Sequence, residues 1–128
     1  MITIYLTGIP NYYEGEDIEI RYRIFEDINE LEQKSFFKDY KKPALVGLFS
    51  LIMLLKDIEH YKDKAVTIVV NDPALMELIR GTSTNKDREV IRMANSAKDK
   101  LAEFNKAVVK NVSNNSVELA KWNELLTM

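Results

Sequence analysis

Six consecutive residues, Ala65-Val66-Thr67-Ile68-Val69-Val70, constrain this chain more than any other stretch. Five of them, Val66 to Val70, are β-branched in an unbroken run, with polar residues on both sides. Such a run suits a central strand buried on both faces, where alternation is lost because neither face meets water. A sheet with a strand of that kind needs helices to cover it, which predicts an α/β domain. Asp72 and Pro73 follow at once and read as the N-cap and first residue of a helix. That helix is short and stops near Gly81, a natural C-terminal glycine.

The N-terminal third has the other strand signature. Ile2, Ile4 and Leu6 alternate with Thr3, Tyr5 and Thr7, until Gly8, Pro10 and Asn11 break the pattern. Ile18, Ile20, Tyr22 and Ile24 then face one way, while Glu19, Arg21 and Arg23 face the other. One dry and one wet face predict an antiparallel strand. Asp27-Ile28-Asn29 supplies turn chemistry, and a less regular strand follows from Leu31 to Phe37. These three strands form a meander.

Pro43 opens a helix whose apolar residues, from Leu45 to Leu55, cover nearly its whole circumference, so it is expected to be buried on most sides. Its end is expected near His60 and Lys62, cations suited to a helix C-terminus. Beyond a loop from Thr82 to Asn85, a long amphipathic helix places Val90, Ile91, Ala94, Ala97, Leu101 and Phe104 at helical spacing. Ala107-Val108-Val109 gives a last short strand. Val117, Ala120, Trp122, Leu125 and Leu126 suggest a closing helix, with Trp122 in its buried stripe. The predicted order is βββαβααβα.

With 128 residues, 46% hydrophobic and 30% charged, the chain has the content of one globular domain. That length buries roughly two thirds of the unfolded surface without covalent staples. The absence of cysteine excludes disulfides, thiolate zinc sites and a cysteine nucleophile. No secretory leader is expected from the opening residues, and the apolar stretch from Ala44 to Leu55 falls short of the ~20 residues a bilayer demands. A reducing cytoplasm is the expected location, where the Asn-x-Ser sequons at Asn111 and Asn114 are chance matches. No membrane partner is expected.

The strand and helix order, at these spacings, resembles the ribonuclease H family along nearly the entire chain. The resemblance implies a five-stranded mixed sheet, an antiparallel meander plus two further strands, with the fourth strand beside the first. It rests on topology and flanking residues. Leu6-Thr7-Gly8 stands where the family closes its first strand with Thr-Asp-Gly. Gly47-Leu48 stands for the family's Glu-Leu in the first helix, and Val70-Asn71-Asp72 for Thr-Asp-Ser after the fourth strand. Val117-Glu118-Leu119-Ala120 stands for Asp-x-Leu-Ala.

Family members cut the RNA strand of an RNA–DNA hybrid with two metal ions about 4 Å apart. Hard cations of this kind require several converging carboxylate oxygens. At the four matching positions this chain carries Thr7, Gly47, Asn71 and Val117. No Asp or Glu precedes Glu14, and none lies between Lys41 and Lys56, so two of the losses survive any register shift. Asp72 and Glu118, each one residue away, are the weak metal candidates. Capping is the simpler role for Asp72 and a solvated helix position the simpler one for Glu118. The family's catalytic histidine is also missing from Asn111 to Ser116. The only histidine, His60, is expected at the surface near a helix end. No catalytic residue and no cofactor are expected.

Net charge is −2, against the positive excess typical of proteins that live on nucleic acid. Acidic residues crowd the segment from Glu14 to Glu32, and basic ones the segment from Lys86 to Lys110. The simplest reading is two solvated faces of opposite tendency. The candidates for contact with nucleic acid are Lys86, Arg88, Arg92, Lys98 and Lys100 for phosphates, with Tyr12 and Tyr13 for stacking on bases. Tyrosines in such a loop are otherwise expected to pack on their own domain. The expected role is a non-catalytic binding or assembly module, its partner another protein or a second copy, with nucleic-acid binding as the alternative and a nuclease with relocated carboxylates as the third.

Overall fold

The computed structural model describes residues 1–127. Five strands, β1 (Ile2–Ile9), β2 (Ile18–Glu26), β3 (Asn29–Lys38), β4 (Ala65–Val70) and β5 (Lys106–Asn111), form one mixed sheet in the order β3-β2-β1-β4-β5. The meander β1-β2-β3 is antiparallel, and β4 lies parallel to both β1 and β5. The described residues also form four α-helices: α1 (Pro43–Asp57), α2 (Pro73–Arg80), α3 (Arg88–Ala102) and α4 (Ser116–Leu126). The predicted order and sheet are observed.

Patterning explains the layers. Ile2, Ile4 and Leu6 of β1 and Ile18, Ile20, Tyr22 and Ile24 of β2 are buried on one face, as their alternation requires. They meet α1, whose eight buried residues run from Leu45 to Leu55, and α3 packs on α1 through Val90, Ala94 and Ala97. The opposite face carries a smaller cluster in which Val69 and Val112 pack with Trp122 and Leu126 of α4. Asp72 caps α2 by accepting the Leu75 N–H at 3.0 Å, and Gly81 ends it at φ 79°.

Several boundaries and faces differ from expectation. The first helix ends at Asp57, where buried Ile58 turns the chain inward, and His60 sits in a separate 3-10 turn (Glu59–Tyr61) with its ring 4.0 Å from that of Tyr61. Phe104 is buried beyond the end of α3, while Ile91 is exposed on it. Val117 is 79% exposed. Trp122 and Leu126 set which side of α4 is buried, and Val117, five residues before Trp122, falls about 140° round the helix. The face of β2 expected to be wet receives the end of α4: Arg21 Nη1 donates to the Leu126 carbonyl at 3.0 Å and Arg23 Nη1 to that of Leu125 at 3.1 Å. These are carbonyls that a helix C-terminus leaves without internal partners.

The acidic early segment is not an unbroken negative face either. Glu19 pairs with Arg21, Glu30 with Arg23 and Glu26 with Lys64.

Candidate functional site

Where two parallel strands end side by side, their C-terminal ends open a crevice between the following segments, and side chains there converge. In this chain the crevice lies past the last β1–β4 pair, Tyr5 and Val69. It is a small cavity of about 40 Å³ whose lining includes Thr7, Gly8, Gly47, Ser50, Asn71, Asp72 and Trp122. That volume holds about one or two water molecules.

Two glycines bring the walls together. A Cβ on Gly8 would collide with Oγ of Ser50, a buried side chain that donates to the Val46 carbonyl at 2.7 Å. A Cβ on Gly47 would collide with Oδ2 of Asp72. The first strand, the first helix and the N-cap of the second helix therefore meet at contact distance. The position that would hold a helix carboxylate is taken up by backbone facing Asp72.

The sequence-singled residues separate into those that meet and those that do not. Thr7, Gly47 and Asn71 all line the crevice, as their place in the topology predicts. Val117 does not line it and lies exposed on α4. Asp72 does line it, with Oδ1 engaged by the Leu75 N–H and its own N–H donating to Asn111 Oδ1 at 3.1 Å. Glu118 is elsewhere. It accepts from Lys110 Nζ at 2.6 Å and lines a trough on the α4 side of the sheet. Among the described residues, no three His, Cys, Asp or Glu side chains converge on a metal-sized site. A single carboxylate with one oxygen committed to a helix cap does not fit a two-metal centre, which needs several oxygens on each ion.

Two polar residues at this end, Asn111 and Ser113, carry no site role in the sequence pattern. Ser113 Oγ lies 2.7 Å from both Asn71 Oδ1 and Asn111 Oδ1, and Asn111 is the strand partner of Val70. This amide and hydroxyl cluster ties the loop after β5 to the end of β4. The visible signal was the Asn-x-Ser at 111–113, whose spacing suits a local turn as well as a sequon. Trp122 is core, as its place in the buried stripe of α4 predicts. Its Nε1 also lies 3.2 Å from the carbonyls of both Leu6 and Val69, so it links β1 to β4 where their ladder stops.

The basic candidates do not form one stripe. Lys86, Arg88 and Arg92 are exposed, whereas Lys98 and Lys100 are half-buried and lie about 200° apart around α3. Tyr12 and Tyr13, in the loop after β1, are 79% and 73% exposed. They stand out from the domain, contrary to the expectation that they pack on it.

No family model matches the sequence, and no curated protein sequence does. Solved structures do. RNase H1 from the halophilic archaeon Halobacterium salinarum NRC-1 superimposes with a TM-score of 0.77 at 11% identity, over 91% of this chain and 89% of that one. LC11-RNase H1, isolated from compost by a metagenomic approach, gives 0.78 at 18% identity, over 98% and 91%. The same enzyme in complex with an RNA/DNA hybrid gives 0.77 at 18% identity, over 98% and 94%. At such identities the likeness speaks for architecture, and it is the architecture that matches throughout: this chain has the ribonuclease H fold.

Proposed function

We propose that this chain is a non-catalytic ribonuclease H-fold domain that serves as a binding or assembly module. The observation that carries this reading is the contact between Gly47 and Asp72. Where hydrolysis would need carboxylates from strand and helix to surround two cations, the crevice has Thr7, Gly8 and Gly47 around one capping aspartate. Removing like charges that only a metal can hold together favours a metal-free fold, because close carboxylates repel when nothing neutralises them. What remains is a small polar crevice braced by amides and hydroxyls, suited to holding the fold's shape.

The experiment is a thermal melt with millimolar Mg²⁺ or Mn²⁺ against EDTA. The melting temperature should be unchanged, since a ligand stabilises a protein only in proportion to its binding of the folded state. A substantial rise with either ion would overturn the reading.

A second reading is a nucleic-acid-binding module without cleavage, using Lys86, Arg88, Arg92, Lys98 and Lys100 with Tyr12 and Tyr13. It is favoured by the exposure of both tyrosines and by a neighbour solved on an RNA/DNA hybrid. Affinity that falls steeply with added salt would support it, and undetectable binding at low salt would remove it.

A further inference from the structure

The two faces of the sheet are covered unequally. One is packed under α1 and α3, while the other carries only the 11-residue α4. Alongside α4 a row of side chains is left open across four strands. Strand pairing sets Phe25 beside Thr3, Thr3 beside Thr67 and Thr67 beside Val108. Cavities of about 290 and 510 Å³ meet here, sharing Thr3, Tyr5 and Lys121 as lining. Apolar exposure collects around this trough: Met1 is 62%, Ile28 93% and Val108 49% exposed. Exposed apolar side chains gathered around one concave surface mark an interaction site more often than scattered ones do.

The helix bordering the trough has a matching outer side. Val117, Lys121 and Glu124 follow one another at four- and three-residue spacing and so share a side of α4. Val117 is largely bare. Among the described residues, neither Lys121 nor Glu124 has an opposite charge within ion-pair distance. Lys121 Nζ rests over the Tyr5 ring, 6.0 Å from its centroid. A cation and an anion one turn apart, neither in an ion pair, are self-complementary: a two-fold axis beside the helix sets each against the other's counterpart.

We propose that a second copy of this chain covers the trough, so that two sheets face each other with their α4 helices side by side between them. Each α4 lies over the partner's Thr3, Thr67 and Val108, and Lys121 of each copy pairs with Glu124 of the other. An isologous contact of this kind closes on itself and gives a dimer. The inference names a partner for the assembly role proposed above and rests on that reading only there. The trough flanks the N-terminal half of β1 and the crevice its C-terminal end, so the dimer and the metal test fail or succeed separately.

Sedimentation equilibrium of the whole chain tests it, with circular dichroism melts as the control for folding. The wild type should approach twice 14.8 kDa as concentration rises. Lys121→Glu and Glu124→Lys should each raise the dimer dissociation constant about tenfold or more, because each sets like charges against each other. The double variant should return to within roughly threefold of the wild type, since reciprocal exchange restores both pairs. Val108→Asp, on an exposed edge position, should give a folded monomer. A wild type that stays monomeric at every concentration overturns the proposal. So does a dimer that withstands all these substitutions, or a double variant no tighter than the singles.

Discussion

Gly47 and Asp72 face each other so closely that a β-carbon on Gly47 would overlap the Oδ2 atom of Asp72. One residue belongs to α1 and the other caps α2, so the two elements touch at this point. Gly47→Ala should therefore destabilise the fold, because forcing atoms into a packed site costs about 1–3 kcal/mol, outweighing the roughly 1 kcal/mol that alanine gains over glycine inside a helix. Gly47→Ala combined with Asp72→Ala should recover part of that loss. Urea denaturation of the two singles and the double would measure the coupling, and additive losses would deny the contact.

Gly8 and Ser50 form the equivalent contact between β1 and α1. Gly8→Ala would press on Ser50 Oγ and on Val46, and the expected loss is again about 1–3 kcal/mol. Adding Ser50→Ala should relieve some of the strain, because the nearest clashing atom is then gone. Equal melting temperatures for Gly8→Ala and wild type would show that the neighbours give way freely.

Trp122 lines the crevice and joins β1 to β4. Trp122→Phe keeps most of the ring but removes the N–H shared by Leu6 and Val69, and it should cost about 1–3 kcal/mol. Trp122→Ala should cost about 3–5 kcal/mol by opening a cavity in the smaller core. Similar stability for Trp122→Phe and wild type would mean that the link between the strands is energetically idle.

Acid should weaken the anchorage of α4. Hydrogen bonds from Arg21 and then Ser35 hold the Glu19 carboxyl below its ordinary value of 4.5. A carboxyl lowered in the folded state stabilises the protein above its unfolded pKa and loses that contribution as pH falls through the folded value. The urea midpoint should thus be steady from neutral pH down to the ordinary Glu19 value of 4.5 and fall as pH drops from there through the lowered folded value. Arg21→Met should reduce the drop and lower stability at neutral pH. An acid limb unchanged by that substitution would place the pH dependence elsewhere.

Much of this fold could be read from local pattern because the pattern was strict where burial was strict. The β-branched run of β4, the alternation in β2 and the Asp72 to Gly81 cap signals each correspond to an observed element. Missed features depend on partners distant in sequence. Arg21 and Arg23 looked solvated because nothing local shows that carbonyls more than 100 residues away lie above them. Val117 looked apolar enough to be buried, yet the register of α4 is decided by Trp122 and Leu126. In the crevice, the residues at Thr7, Gly47 and Asn71 were legible from topology. The Asn111 and Ser113 cluster was not, since it exists only because β5 ends beside β4.

The most direct experiment is a cleavage and binding titration with labelled RNA–DNA hybrid, duplex DNA and single strands, at low salt with Mg²⁺, Mn²⁺ or EDTA. No metal-dependent cutting of any substrate is the predicted result, for the wild type and for Asp72→Asn alike. Hybrid cut in the presence of metal, with the activity lost in Asp72→Asn, would contradict it and place a working site at the end of β4.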